Sequence, residues 1–186
     1  MSAPLSIPRR LLSVEEYYQL GRAGVLSEDD RVELIEGEMI EMAPIGGPHI
    51  YLVNMLNRVF AAQLGAQGIV SVQNPIVLPP RNAPQPDLAI LAPSSIASKE
   101  VPRAQDVLLL IEVAHTTTHY DRDVKIPIYA RHGIAEVWLF EVEVQRLSIY
   151  LEPGTRGYQR LLNPEKREII SPSLLPGVKI NLADLW

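Results

Sequence analysis

Three side chains in this sequence are of the types that bind cations and stabilise developing charge. Asp87 opens the apolar run "DLAIL" and Glu112 closes the run "VLLLIEV". Lys125 follows thirteen residues after Glu112 in "YDRDVK", four residues beyond Asp121. A carboxylate is almost never fully buried without a partner, so Glu112 either reaches solvent at its strand end or meets a positive group. If neighbouring strands bring Asp87 and Glu112 together, two like charges share a site walled by aliphatic residues. Such a pair is unstable unless one is protonated or a cation lies between them. Mg²⁺ suits it, with Mn²⁺ as a substitute, because Mg²⁺ takes oxygen ligands, keeps several waters and is completed by substrate phosphate. The ion lowers the pKa of a bound water, and Lys125 is of the right type to orient that water or stabilise charge on phosphate. A purely structural reading stands beside this one. Asp87, following a proline, also fits a strand-entry or turn residue, and Glu112 also fits a salt bridge to an arginine.

A mixed α/β chain must position these residues. "LLSVEEYYQL" has Ser13 three residues before Glu16, a capping box that opens a helix. "RVELIEGEMIEM" alternates on both sides of Glu36-Gly37, with Val32 and Leu34 on one face and Met39 and Ile40 resuming after the turn, which predicts a hairpin. "PIGGP" is a loop of strong breakers. Leu52, Val53, Leu56, Val59, Phe60 and Leu64 then recur at helical spacing over residues 49–64. Strand-like runs follow in "IVSVQN" from Ile69, "PIVLP" from Pro75 and "DLAIL" from Asp87. The loop "APSSIASKEVPRAQ" precedes the strand that ends on Glu112. After Tyr120, the spacing of Val124, Ile128 and Tyr129 predicts a helix to about Arg131, with Pro127 forcing an irregular first turn. "AEVWLFEVEVQRLSIYL" reads as two strands around Val144 and Gln145, followed by "GYQRLL", "REIIS" and a short terminal helix in "INLADLW". The pattern predicts one α/β domain over residues 1–186, with a central mixed sheet of roughly eight strands flanked by helices. An N-terminal helical segment covers 1–30, a core carrying the site covers 31–141, and C-terminal strands and tail cover 142–186.

Composition narrows the function classes. Hydrophobic residues make up 47% of the chain, enough for a real core, so disorder is not the default. The balance of 17 Lys+Arg against 22 Asp+Glu gives a net charge of −5. A protein living by non-specific attraction to phosphate usually carries a basic excess. There are no cysteines, which excludes disulfides and cysteine-ligated zinc. No signal-peptide-like run opens the chain, and the longest aliphatic stretch, "VLLLI", is far too short to span a bilayer. A cytoplasmic protein without membrane association is the expectation.

The ordered motifs carry a resemblance. "RVELIEGEMIEM", "GGPHIYLVNML", "PQPDLAIL" and "LLLIEVAHTTTHYDRDVKIPIYARHGIAEVWLFE" resemble those of the large bacterial family designated "putative restriction endonucleases" and often called Uma-type. That family sits within the PD-(D/E)XK nuclease superfamily. The resemblance covers Arg31 to roughly Glu141 and implies a restriction-endonuclease-like core. It implies a Mg²⁺-dependent endonuclease acting on DNA, with Asp87 and Glu112 as metal ligands and Glu33 as a further acid. The superfamily lysine position, two after Glu112, holds Ala114, and the family pattern displaces that lysine onto the following helix, where Lys125 stands. His49 matches the family's helix-start histidine, which implies a contact to substrate phosphate; capping and loop packing explain it equally well. Arg122 is the substrate-binding candidate beside Lys125. Homodimers are the expectation by analogy, two sites matching two strands.

The remaining candidates have structural readings. Seven acids lie between Glu28 and Glu41, and a solvated face accounts for most of them. His115 and His119 have the spacing of a helical histidine pair, but their Thr-rich turn does not read as helix. Asp121 reads first as a helix cap, and Tyr129 and Trp138 read as core. The rival function is a catalytically inactive nuclease fold kept as a binding or regulatory module. The loop over 93–105 is the one obvious place for a recognition element.

Overall fold

The computed structural model describes residues 9–27, 29–115 and 118–186. Glu28, the first of the hairpin acids, and Thr116 and Thr117 of the Thr-rich turn lie outside the described residues. Helix α1 (Val14–Arg22) opens on the expected capping box: Ser13 Oγ accepts the Glu16 N–H at 3.2 Å and Glu16 Oε2 accepts the Ser13 N–H at 2.9 Å. β1 (Val32–Ile35) and β2 (Glu38–Glu41) form the hairpin, turning at Glu36 and Gly37, both with positive φ. β1 leans on the segment that leads to Asp87 through a bridge between Leu34 and Ala83.

Helix α2 (Gly47–Leu64) buries Leu52, Val53, Leu56, Phe60 and Leu64, the stripe its periodicity predicts. It lies on one face of a six-stranded sheet ordered β3-β4-β5-β6-β7-β8. The strands are β3 (Ile69–Val72), β4 (Leu88–Leu91), β5 (Val107–Ala114), β6 (Glu136–Glu141), β7 (Arg146–Gly154) and β8 (Gly157–Leu162). All neighbours are antiparallel except β5 and β6, which are parallel. A parallel pair needs a crossover. Here the connection is helical in three pieces: α3 (Thr118–Tyr120), a π-helical turn (Asp121–Lys125) and α4 (Ile126–Arg131). This connection covers the other face of the sheet, with Ile126, Ile128, Tyr129 and Ile134 packed in one core with Ala89, Leu91, Leu110 and Val137. The α2-side core holds Leu88, Ile90, Leu109, Ile111, Val113, Trp138 and Phe140 and is closed by C-terminal residues including Val178 and Leu182. β9 (Ile169–Ile170) and β10 (Ile180–Asn181) form a separate small pair.

Several expectations need correction. "PIVLP" is no strand: its Val77 and Leu78 make only isolated bridges, to Arg103 and Asn82, because Pro79 and Pro80 close the segment into a turn. The crossover helix is already formed at Thr118, so His119 is helical and Asp121 lies inside the helix rather than capping it. The final helix is a single 3₁₀ turn, Leu182–Asp184. The irregularity expected from Pro127 is the π turn. Proline offers no N–H to residue 123, and the Ile126 N–H bonds back to the Asp121 carbonyl, five residues earlier. No described helix is long and apolar enough to cross a membrane.

Gly37 is the tightest point of the hairpin. It has φ +83°, and a Cβ there would stand 2.7 Å from Leu11 Cβ and 3.0 Å from the Leu12 carbonyl oxygen. Gly37→Ala should therefore lower stability by about 1–3 kcal/mol, read as a fall in the thermal unfolding midpoint. An unchanged midpoint would show that the turn relaxes freely.

Candidate active site

Strand alternation and helical spacing bring the site together. Leu110 and Glu112 are one pleat period apart on β5, and Leu110 packs against the crossover helix. Glu112 therefore projects toward that same helix. Lys125 and Tyr129 are four residues apart, on one helical face, and both reach Glu112 Oε1. The Lys125 Nζ stands at 2.9 Å and the Tyr129 hydroxyl donates at 2.5 Å. Lys125 Nζ also lies 3.4 Å from Glu33 Oε2, so the ammonium joins the hairpin to β5. Glu33 is held at both oxygens: Oε2 accepts the Gln85 backbone N–H at 3.1 Å and Oε1 accepts the Tyr120 hydroxyl at 3.0 Å.

Asp87 arrives from the neighbouring strand. Leu88 pairs with Ile111, and one more step of this antiparallel register sets Asp87 across from Glu112. Its Oδ2 accepts the Val113 backbone N–H at 2.8 Å, while its Oδ1 faces His49 Nε2 at 2.9 Å and Gln73 Nε2 at 3.5 Å. His49 thus sits in the first turns of α2 with its ring turned inward onto Asp87. Its Nδ1 is buried with no hydrogen-bond partner among the described residues. Asp87 keeps 15% of its side chain exposed, against 2% for Glu112 and 5% for Lys125. Asp87, Glu112, Lys125 and Glu33, with His49 and Tyr120, line one cavity of about 260 Å³.

The electrostatics follow from this crowding. Burial raises the Glu112 carboxyl to about 8, working against the lowering pull of the Lys125 ammonium; the charges of Asp121 and Asp87 add to the rise. Burial alone would depress Lys125, but Glu112, Glu33 and Asp121 more than reverse this, and it stays protonated. Burial, and then Glu112, keep the Tyr129 hydroxyl protonated as a donor, as burial and Glu33 do for Tyr120. Glu33, Glu41, Asp87, Glu112 and Asp121 line the cavity with the Lys125 ammonium and the Arg31 guanidinium among them, and that excess of acidic groups suits a small oxygen-seeking dication. Asp87 and Glu112 are the residues that could offer it oxygens. No group of three or more His, Cys, Asp or Glu side chains among the described residues is placed to hold an ion unaided. Water and substrate oxygens would have to complete the set, as they do for Mg²⁺.

The structure thus unites Asp87, Glu112, Lys125, Glu33 and His49. It does not bring Arg122 to them. Arg122 bonds to Asp123 and His119 on the exposed side of the helix and is absent from the cavity wall. Trp138 is fully buried core. Tyr129 is buried too, yet its hydroxyl serves the site. The sequence reading missed that role, although the four-residue step from Lys125 was a signal for it. Tyr120 and Gln85 were missed as well. Only the hairpin's approach makes them partners of Glu33. Among the hairpin acids Glu33 is buried, while Glu36 and Glu41 are exposed and Glu38 is half-buried, which separates it from the solvated face.

Tyr129→Phe deprives the buried Glu112 carboxyl of its hydroxyl donor and should cost about 1–3 kcal/mol, measured by urea unfolding. The raised Glu112 pKa makes stability depend on pH. The folded state binds more protons than the unfolded one between about 4.5 and about 8. The Glu112 contribution is therefore complete below pH 4.5 and is lost as pH rises through about 8. In chelator-containing buffer, Glu112→Gln should flatten this fall in unfolding free energy from pH 5 to 8. A slope equal to wild type would place the charge balance elsewhere.

Known proteins supply the context for this geometry. The crystal structure of a "putative nuclease belonging to DUF820" from Anabaena variabilis has the same fold, with a TM-score of 0.72 over 94% of this chain and 97% of that one, at 17% sequence identity. No curated protein matches the chain. The family model described as "Uma2: Putative restriction endonuclease" matches residues 14–183. That range takes in the hairpin, both carboxylate strands and the lysine-bearing helix, and the chain belongs to the Uma2 family.

Proposed function

We propose that this protein is a Mg²⁺-dependent nuclease that hydrolyses phosphodiester bonds in DNA. The observation that carries this reading is the buried Lys125 ammonium bound to Glu112 and Glu33 beside Asp87. Asp87 and Glu112 would hold Mg²⁺, with Mn²⁺ as a substitute, and the bound ion supplies a water of lowered pKa and neutralises charge on the phosphate. The chain's own residues do the rest. Lys125 keeps its proton and donates to the phosphoryl oxygen on which charge develops. Tyr129 and the Val113 N–H orient the two carboxylates from behind, so neither must reorganise as substrate enters. His49 holds Asp87 Oδ1, and Glu33, tied to Gln85 and Tyr120, fixes the position of the lysine. A homodimer with two sites related by two-fold symmetry would match the two strands of duplex DNA.

The test is calorimetric titration of Mg²⁺ and Mn²⁺ into wild type, Asp87→Ala and Lys125→Met, with plasmid cleavage assayed on the same folded samples. Asp87→Ala should lose the binding heat and the cleavage together. Lys125→Met should keep a binding heat and lose cleavage by about 10²-fold or more. Metal binding without cleavage of any DNA form would favour the inactive binding module, for which the net charge of −5 is the supporting observation. No binding in wild type would remove the metal-dependent reading.

A further inference from the structure

A second cavity, of about 520 Å³, lies beside the first, and His115 lines both. Its walls come from the first turns of α2, the turn between β6 and β7 and the C-terminal segment. The chemistry proposed above uses none of it.

The lining favours a flat, neutral, aromatic occupant. Trp186 is seated with its ring 5.7 Å from that of Phe140, and Tyr51, on the α2 side, is half exposed. The Trp186 Nε1–H is buried with no acceptor among the described residues. Glu143 adds an acceptor. The Gln145 side chain has its oxygen engaged by Lys166 at 3.1 Å, which leaves its amide NH₂ to donate. No lysine or arginine lines the cavity itself, and Glu143 disfavours a phosphate there.

We infer that the second cavity receives an unpaired nucleobase from the nucleotide adjoining the phosphate held in the first. The inference rests on the nuclease reading and deepens it. A nucleobase has a π-face for Tyr51 and Trp186 and ring edges that both accept and donate hydrogen bonds. Base stacking also gives a protein of net charge −5 a source of affinity for nucleic acid other than attraction to phosphate. Duplex DNA would then be engaged with one base drawn out of the stack, at a cost that a single strand does not carry.

The probes are a twelve-nucleotide oligo(dT) and a fully abasic strand of equal length and charge. Binding is followed by fluorescence anisotropy in chelator and by tryptophan emission. Wild type should bind oligo(dT) about ten-fold more tightly than the abasic strand, with a change in emission that Trp186→Phe abolishes. Tyr51→Ala, at an exposed position, should remove the preference for bases while leaving abasic binding unchanged. Equal affinity for the two strands, an emission unmoved by saturating oligo(dT), or a base preference that survives Tyr51→Ala would each overturn the subsite and leave the nuclease reading standing. Absence of binding to either strand, together with intact plasmid, would overturn both.

Discussion

The structure around the site depends on one buried ammonium. Lys125 Nζ sits 2.9 Å from Glu112 and 3.4 Å from Glu33, and all three side chains are at least 95% buried. Burying such a charge costs several kcal/mol unless its partners are in place. Three segments far apart in sequence must therefore meet at one point: the hairpin, the end of β5 and the crossover helix. Each partner is then tied down in turn, Glu112 by Tyr129 and Glu33 by Tyr120 and Gln85. Gln85 stands two residues before Asp87, so the chain that secures Glu33 also delivers the other carboxylate.

The π turn is how the helix meets this requirement. A regular helix cannot carry Pro127 without leaving the residue 123 carbonyl unbonded. Widening the turn over Asp121–Lys125 absorbs the defect, with the Ile126 N–H reaching the Asp121 carbonyl. Asp121 and Lys125 are both buried in that turn, and Tyr129 follows on the lysine's side. Insertions of this kind are frequent at functional positions. The sheet beneath is a stiff support: every residue of β4 and β6 is buried, so the ends that carry the site residues are held from both faces.

Crowding like charges here has an electrostatic consequence. Five carboxyl groups line the cavity that holds the lysine, and burial, with the charges of Asp121 and Asp87 adding to it, holds the Glu112 proton to about 8. The neighbouring cavity differs in character, since neither lysine nor arginine lines it and it is built partly from aromatic rings. One protein surface thus offers a compartment crowded with acids around a lysine and a second one lined partly by aromatic rings.

The elements with a strong period were legible in the sequence: the capping box at Ser13, the hairpin at Glu36-Gly37, the stripe of α2 and the apolar β5 ending on Glu112 all recur in the structure. Each of these is a local property, fixed by spacing and by turn chemistry within a few residues. The motifs also marked Asp87, Glu112, Lys125 and Glu33 as candidates. What no local pattern could decide was which partner each side chain takes. His49 looked free to cap its helix and instead closes on Asp87. Tyr129 looked like plain core, and Arg122 looked close to the site yet turns outward. "PIVLP" had the composition of a strand but lacked a neighbouring ladder along its length. Hydrogen bonds and ion pairs across more than a few residues exist only once the sheet has brought its edges together. For that reason the sequence by itself determined the elements and the candidate residues, and tertiary packing alone decided which of them share a site.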